Sequence, residues 1–142
     1  YPVGNISEEA RQLLDVTKKA LYLGIEQSVV GNRLGDIGHA IQSYVEPLGF
    51  SVVKDFVGHG IGRDMHEDPQ VLHYGTRGRG QWLVEGMVMT IEPMINIGDY
   101  RMKLDDNGWT ARTLDGSLSA QFEHTIAITK DGPVILTDQD SI

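Results

Sequence analysis

From Gly58 to Pro69 the chain reads Gly-His-Gly-Ile-Gly-Arg-Asp-Met-His-Glu-Asp-Pro, and no other stretch limits its fold so tightly. Glycines at 58, 60 and 62 permit a sharp turn and let a ligand or a neighbouring strand come close to the backbone. A histidine framed by them, His59, presents its imidazole from a rigid position. Further on, Glu92 lies in Val88-Met89-Thr90-Ile91-Glu92-Pro93-Met94, and Glu123 sits between Phe122 and the apolar run Ile126-Ala127-Ile128. A carboxylate buried unpaired in an apolar β segment is costly. Glu92 is therefore a ligand, an ion-pair partner or an edge residue before a chain-bending proline, and Glu123 poses the same choice. His59 alone reads as a structural histidine in a glycine-rich turn. Taken together, two such carboxylates and a glycine-framed histidine favour one shared hard-metal site over three separate accidents.

Patterning around this motif predicts α+β. Ser7 is placed to cap a helix, with Glu8 and Glu9 in its positive first turn. Apolar residues at helical spacing carry that helix to about Val29, where Gly31-Asn32 ends it. A second helix starts near Leu34, with Ile37, Ile41, Tyr44, Val45 and Leu48 as its stripe, and Pro47 with Gly49 closes it. Beyond it, 50–57, 87–91, 109–113, 118–129 and 133–136 read as strands. Turns are expected at Asp106-Asn107-Gly108 and Asp131-Gly132-Pro133, and a loop at 75–80. Two helices followed by several strands predict helices covering one face of a mostly antiparallel sheet. No repeat or internal linker divides the chain, so residues 1–142 form one unit.

Composition narrows the function classes. A net charge of −8 over 142 residues argues against nonspecific binding to nucleic acid or anionic membranes. No apolar run reaches the roughly 20 residues of a membrane span. With no cysteines there are no disulfides and no thiolate metal sites, which is compatible with the cytosol. The chain opens Tyr-Pro, with neither an initiator methionine nor a signal peptide, and the expectation is that upstream residues were removed or left out.

Some readings are rejected. His66 begins His-Glu-Asp-Pro, and position 70 is glutamine, so this is not the His-Glu-x-x-His helix of a zincin. Gly58 to Gly62 lacks the lysine of a phosphate cradle. Arg77 and Arg79 in Gly-Thr-Arg-Gly-Arg-Gly belong to a solvated loop of an acidic chain. Strand alternation places His124 on the face opposite Glu123. His39 falls on a helix and His73 in a loop.

The motif, with Ile91-Glu92-Pro93 and Gln121-Phe122-Glu123-His124, resembles type I methionine aminopeptidase over nearly the whole chain. Prolidase and aminopeptidase P usually carry a histidine where Arg63 stands. Type II methionine aminopeptidases carry a long insertion after the motif, whereas His66 and Glu92 are only 26 positions apart. The resemblance implies the C-terminal half of a pita-bread fold, with two helices backing a curved, mostly antiparallel sheet. It implies His59 as the histidine ligand, Glu92 as a terminal ligand and proton shuttle, and Glu123 as a bridging ligand. His66 would steady the oxyanion, and Met65 and Trp109 would line the methionine pocket; at the Met65 position the family usually has phenylalanine.

The implied activity is removal of the initiator methionine from nascent proteins, in the cytoplasm and near the ribosome, with two divalent ions (Co, Mn, Fe or Zn). The family's two aspartate ligands precede its motif histidine and would lie before Tyr1. The expectation is therefore a C-terminal portion with three of five ligands, at most a weak single metal site and no activity alone. Its partner would be the missing N-terminal half or a second copy. The competing expectation is a non-catalytic pita-bread piece that self-associates or binds peptides.

Overall fold

The computed structural model describes residues 1–138. Helix α1 spans Glu8–Glu26, and the Ser7 hydroxyl accepts the Ala10 N–H at 3.1 Å as its N-cap. It ends at Glu26, three residues before the expected boundary. The Gln27 N–H caps back onto Gly24 and Ile25, and Asn32 Nδ2 donates to the Gln27 carbonyl, so the last carbonyls are satisfied early. Helix α2 spans Leu34–Val45 and passes into a 3₁₀ turn, Glu46–Leu48, containing Pro47. Gly49 closes that turn with φ 88°, a left-handed conformation suited to glycine. The helices cross closely at Gly24: a Cβ there would lie 2.8 Å from Ile41 Cδ1.

Ten short strands follow: β1 Ser51–Val52, β2 Gly58–Gly60, β3 Glu67–Val71, β4 Val88–Ile91, β5 Met94–Asn96, β6 Met102–Leu104, β7 Ala111–Thr113, β8 Ser119–Gln121, β9 His124–Thr129 and β10 Gly132–Ile135. They form a five-stranded sheet, β10-β9-β4-β2-β3, a three-stranded sheet, β1-β5-β8, and the β6-β7 hairpin. All these pairings are antiparallel.

Several strand expectations are corrected. Only Ser51–Val52 of the 50–57 stretch is a strand. Trp109 stands in a turn, because Asn107 Oδ1 accepts the N–H groups of both Trp109 and Thr110 and delays β7 to Ala111. The 118–129 stretch is two strands, broken at Phe122-Glu123. β2, β3, β5 and β6 lie outside the expected strands. β3 begins inside the glycine motif and pairs with β2, and that pairing decides what the glycines do. None of Gly58, Gly60 and Gly62 has a positive φ. Gly58 and Gly60 belong to strand β2, where a Cβ would collide with the Thr90 carbonyl and the Asp68 carbonyl respectively. They permit close approach of strands on both sides rather than a turn.

One face of the main sheet is closed by the helices. Met89 and Ile91 of β4 and Ile126 and Ile128 of β9 pack with Leu13, Ala20 and Leu21 of α1 and Ile37, Ile41 and Val45 of α2, and all are buried. His124, opposite Ile91 in the ladder, lies on this side, with Nε2 3.4 Å from the Tyr22 hydroxyl of α1. Among the described residues no helix is long and apolar enough to cross a membrane.

Candidate metal centre

The registers of two separate sheets place the carboxylates. In the β4–β9 ladder Ile91 faces His124, and in the β5–β8 ladder Met94 faces Gln121. Both ladders keep one register through the break, so Glu92 falls directly opposite Glu123 and Pro93 opposite Phe122. The segments β4–β5 and β8–β9 thus cross between the two sheets at the same level. Pro93 lacks an N–H for a ladder, which suits it to that gap.

The same alternation puts Thr90, Glu92 and Glu123 on the face away from the helices. β2 pairs with β4 through Gly60 and Met89, and His59 therefore stands beside Thr90 on that open face. The His59 N–H donates to Thr90 Oγ1 at 3.0 Å, and the Thr90 hydroxyl donates to Glu92 Oε1 at 2.7 Å. Gln121 Nε2 donates to Glu92 Oε2 at 3.2 Å and to the Glu92 carbonyl at 3.3 Å. Thr90 and Gln121 thus aim the Glu92 carboxylate, and sequence reading had assigned neither a role. Thr90 could have been suspected as a hydroxyl two residues from Glu92, hence on the same face of the strand.

His59 has a defined tautomer. Its Nδ1 lies 2.9 Å from the Gly60 carbonyl oxygen, which can only accept, so Nδ1 carries the proton. In the neutral ring Nε2 is left with its lone pair, and it faces Glu92 Oε1 at 3.4 Å. Both side chains are only 16% exposed. A lone pair facing a carboxylate oxygen is unfavourable until a proton or a cation comes between them. A ligating histidine whose other nitrogen is tied to a carbonyl is the usual arrangement at metals.

Glu123 completes the electrostatic pattern. Its carboxyl is held above the usual range, first by burial and then by the charge of Glu92, while His59 pulls the other way. Like charges directly opposite each other in a ladder destabilise it, and a shared divalent ion removes that repulsion. The donors, one imidazole and two carboxylates, suit a borderline or hard divalent ion. Among the described residues no three such side chains are already gathered in metal-holding geometry. The contact pair is His59 with Glu92, and Glu123 joins through the register.

The remaining candidates lie on the motif loop and the hairpin. The His66 ring packs against that of His59, with centroids 4.3 Å apart and planes tilted by 56°. Met65 is 69% exposed and Trp109 is 90% exposed. His73 lies in the loop after β3, as expected, but is 1% exposed, and its Nε2 accepts the Glu92 N–H at 3.1 Å. Burial holds its imidazole neutral, with the pKa pushed down to about 3. Its position in Val71-Leu72-His73-Tyr74, a histidine within an apolar run, was the available signal.

Known proteins share this arrangement of elements. The chain is 56% identical over 137 residues to a methionine aminopeptidase of Clostridium acetobutylicum, covering 96% of this chain and 55% of that protein. It is 58% identical over 137 residues to the methionine aminopeptidase of Clostridium perfringens, again covering 96% and 55%. The crystal structure of methionine aminopeptidase from Rickettsia prowazekii superposes with a TM-score of 0.95 at 52% identity, covering 97% of this chain and 56% of that one. The pita-bread architecture expected from the motif is thus present, and the chain spans about half the length of the relatives it matches. Residues 1–130 match the model of metallopeptidase family M24, and the chain belongs to that family.

Proposed function

We propose that this chain supplies His59, Glu92 and Glu123 to the two-metal centre of an aminopeptidase that removes N-terminal methionine from nascent polypeptides. The observation that carries the reading is the opposition of Glu92 and Glu123 across the sheet break, with Nε2 of His59 3.4 Å from Glu92. When bound, divalent ions of this kind (Co, Mn, Fe or Zn) polarise a carbonyl and bring the pKa of water from 15.7 toward about 7. His59 and both carboxylates hold that charge in place. Glu92 takes a proton from water and passes it to the leaving amine. His66, beside His59, donates to the oxygen on which negative charge develops, and such a donor contributes only when aimed at that position. Met65 and Trp109 offer a flexible thioether side chain and an indole to the methionine of the substrate, a pairing favourable by about 0.3–1.5 kcal/mol.

Three protein ligands fall short of two full coordination shells. We therefore propose that activity also needs donors beyond these 142 residues, from the rest of a longer protein or from a partner chain. The exposure of Met65 and Trp109 supports a surface that is covered in the working enzyme. A cytoplasmic setting close to ribosomes follows from the proposed substrate.

The test is Mn²⁺ titration of the chain by calorimetry, beside His59→Ala, Glu92→Gln and Glu123→Gln, together with an assay of methionine release from a Met-Ala-Ser peptide. One weak site, lost in each variant, is expected, with no methionine released. Equal Mn²⁺ binding by the folded variants overturns the ligand assignment. Methionine release by the chain alone overturns the need for further donors.

A further inference from the structure

We infer that His73 is a positioning residue for Glu92, holding its main chain at the one point where neither neighbouring strand can. The β4–β9 ladder ends at Ile91, and β2 begins at Gly58, whose place in the register is beside Ile91. Glu92 has therefore passed the end of both ladders before β5 begins at Met94. Its N–H would be left without a strand acceptor. β3 runs alongside β2 and ends with Val71 opposite Gly58; two residues beyond it stands His73, whose Nε2 takes that N–H at 3.1 Å.

The backbone on either side of His73 is closely packed. Helix α2 presses on the segment that carries it, and a Cβ on Gly38 would meet the Tyr74 carbonyl and lie 2.8 Å from the Leu72 carbonyl oxygen. The contact also fixes the tautomer. Nε2 accepts, so Nδ1 carries the proton, and Nδ1 is buried with no hydrogen-bond partner among the described residues. A side chain present only to fill space would be cheaper without that unsatisfied donor. The acceptor nitrogen is what an apolar residue could not provide. His73 thus acts on the centre through the backbone, as Thr90 and Gln121 act through the carboxylate.

The inference rests on the proposed ligand role of Glu92 only where metal is concerned. In the unsubstituted, ¹⁵N-labelled chain, a through-hydrogen-bond coupling between the Glu92 amide nitrogen and His73 Nε2 is expected by NMR; its absence overturns the inference. His73→Leu removes the acceptor, and His73→Gln returns an oxygen near the Nε2 position. In folded His73→Leu the Glu92 amide should exchange with solvent about tenfold faster, and Mn²⁺ should bind about tenfold more weakly. His73→Gln should restore both to within about threefold of the unsubstituted chain. Unchanged exchange in His73→Leu, or equal losses in both variants, overturns the role of the nitrogen. If the unsubstituted chain takes up no Mn²⁺, the ligand reading of Glu92 fails, while the coupling and the exchange rates still decide on His73.

Discussion

The two faces of the central sheet are built from alternate residues of the same strands, yet they do opposite work. On the helix side, Met89, Ile91, Ile126 and Ile128 are sealed against α1 and α2. On the open side, an odd number of residues away along the same strands, stand Thr90, Glu92 and Glu123, with His59 beside them. The closed face lowers its free energy by excluding water. The open face gathers two carboxylates that repel each other beside one histidine, and the closed face offsets that repulsion. Period-2 alternation keeps the two tasks from interfering, and a one-residue slip of register would exchange them.

The largest expected effect breaks the closed face. Ile126→Ala removes a side chain with no exposure from the centre of the core. It should lower the unfolding free energy in urea by about 2–5 kcal/mol, with metal-ligand geometry affected only through loss of fold.

Acid tests the join between the two faces. The folded His73 titrates near 3 and an unfolded one near 6.5, so the unfolded chain binds the extra proton. Stability from this group is complete above pH 6.5 and is lost as pH falls toward 3. By pH 5 the loss should be about 2 kcal/mol, at about 1.36 kcal/mol per pKa unit. Urea midpoints at pH 7 and pH 5 should differ less in His73→Leu than in the unsubstituted chain. An equal difference would remove His73 as the cause.

The open face should respond with the opposite sign. Glu123→Gln relieves the cross-strand repulsion, and the metal-free chain should gain about 0.2–1 kcal/mol in urea unfolding, while Mn²⁺ binding weakens. A loss of stability would mean that the Glu123 carboxylate is structural. The smallest effect belongs to Trp109→Ala. With the indole 90% exposed, unfolding should shift by no more than about 0.5 kcal/mol. A larger shift would show that Trp109 packs within this chain and is not reserved for another molecule.

Legibility in the sequence followed the range of the forces. Ser7 as a cap, the stripe of α2 as far as Val45, the turn at Asn107 and strand β4 are local, and pattern alone located them; Leu48, expected on that stripe, lies past the helix in the 3₁₀ turn and is exposed. β3 was missed because its residues, Glu-Asp-Pro-Gln-Val, lack strand alternation and become a strand through pairing with β2. The glycines of the motif were recognisable as special, but whether they served a turn or close strand contact depended on that partner. His73 lies in a loop as its sequence suggested, but its burial and its bond to the Glu92 N–H could not be read from nearby residues.

By itself the sequence determined the class of fold, the alternation that separates apolar from polar residues, and the residue types available to hold a divalent ion. The tertiary structure alone decided that Glu92 and Glu123 stand opposite each other at one break, that Thr90 and Gln121 aim Glu92, and that His73 holds its backbone. The reason is physical: propensity and capping act within a few residues along the chain, whereas these registers join positions 23 to 39 apart and can be read only once the strands are paired.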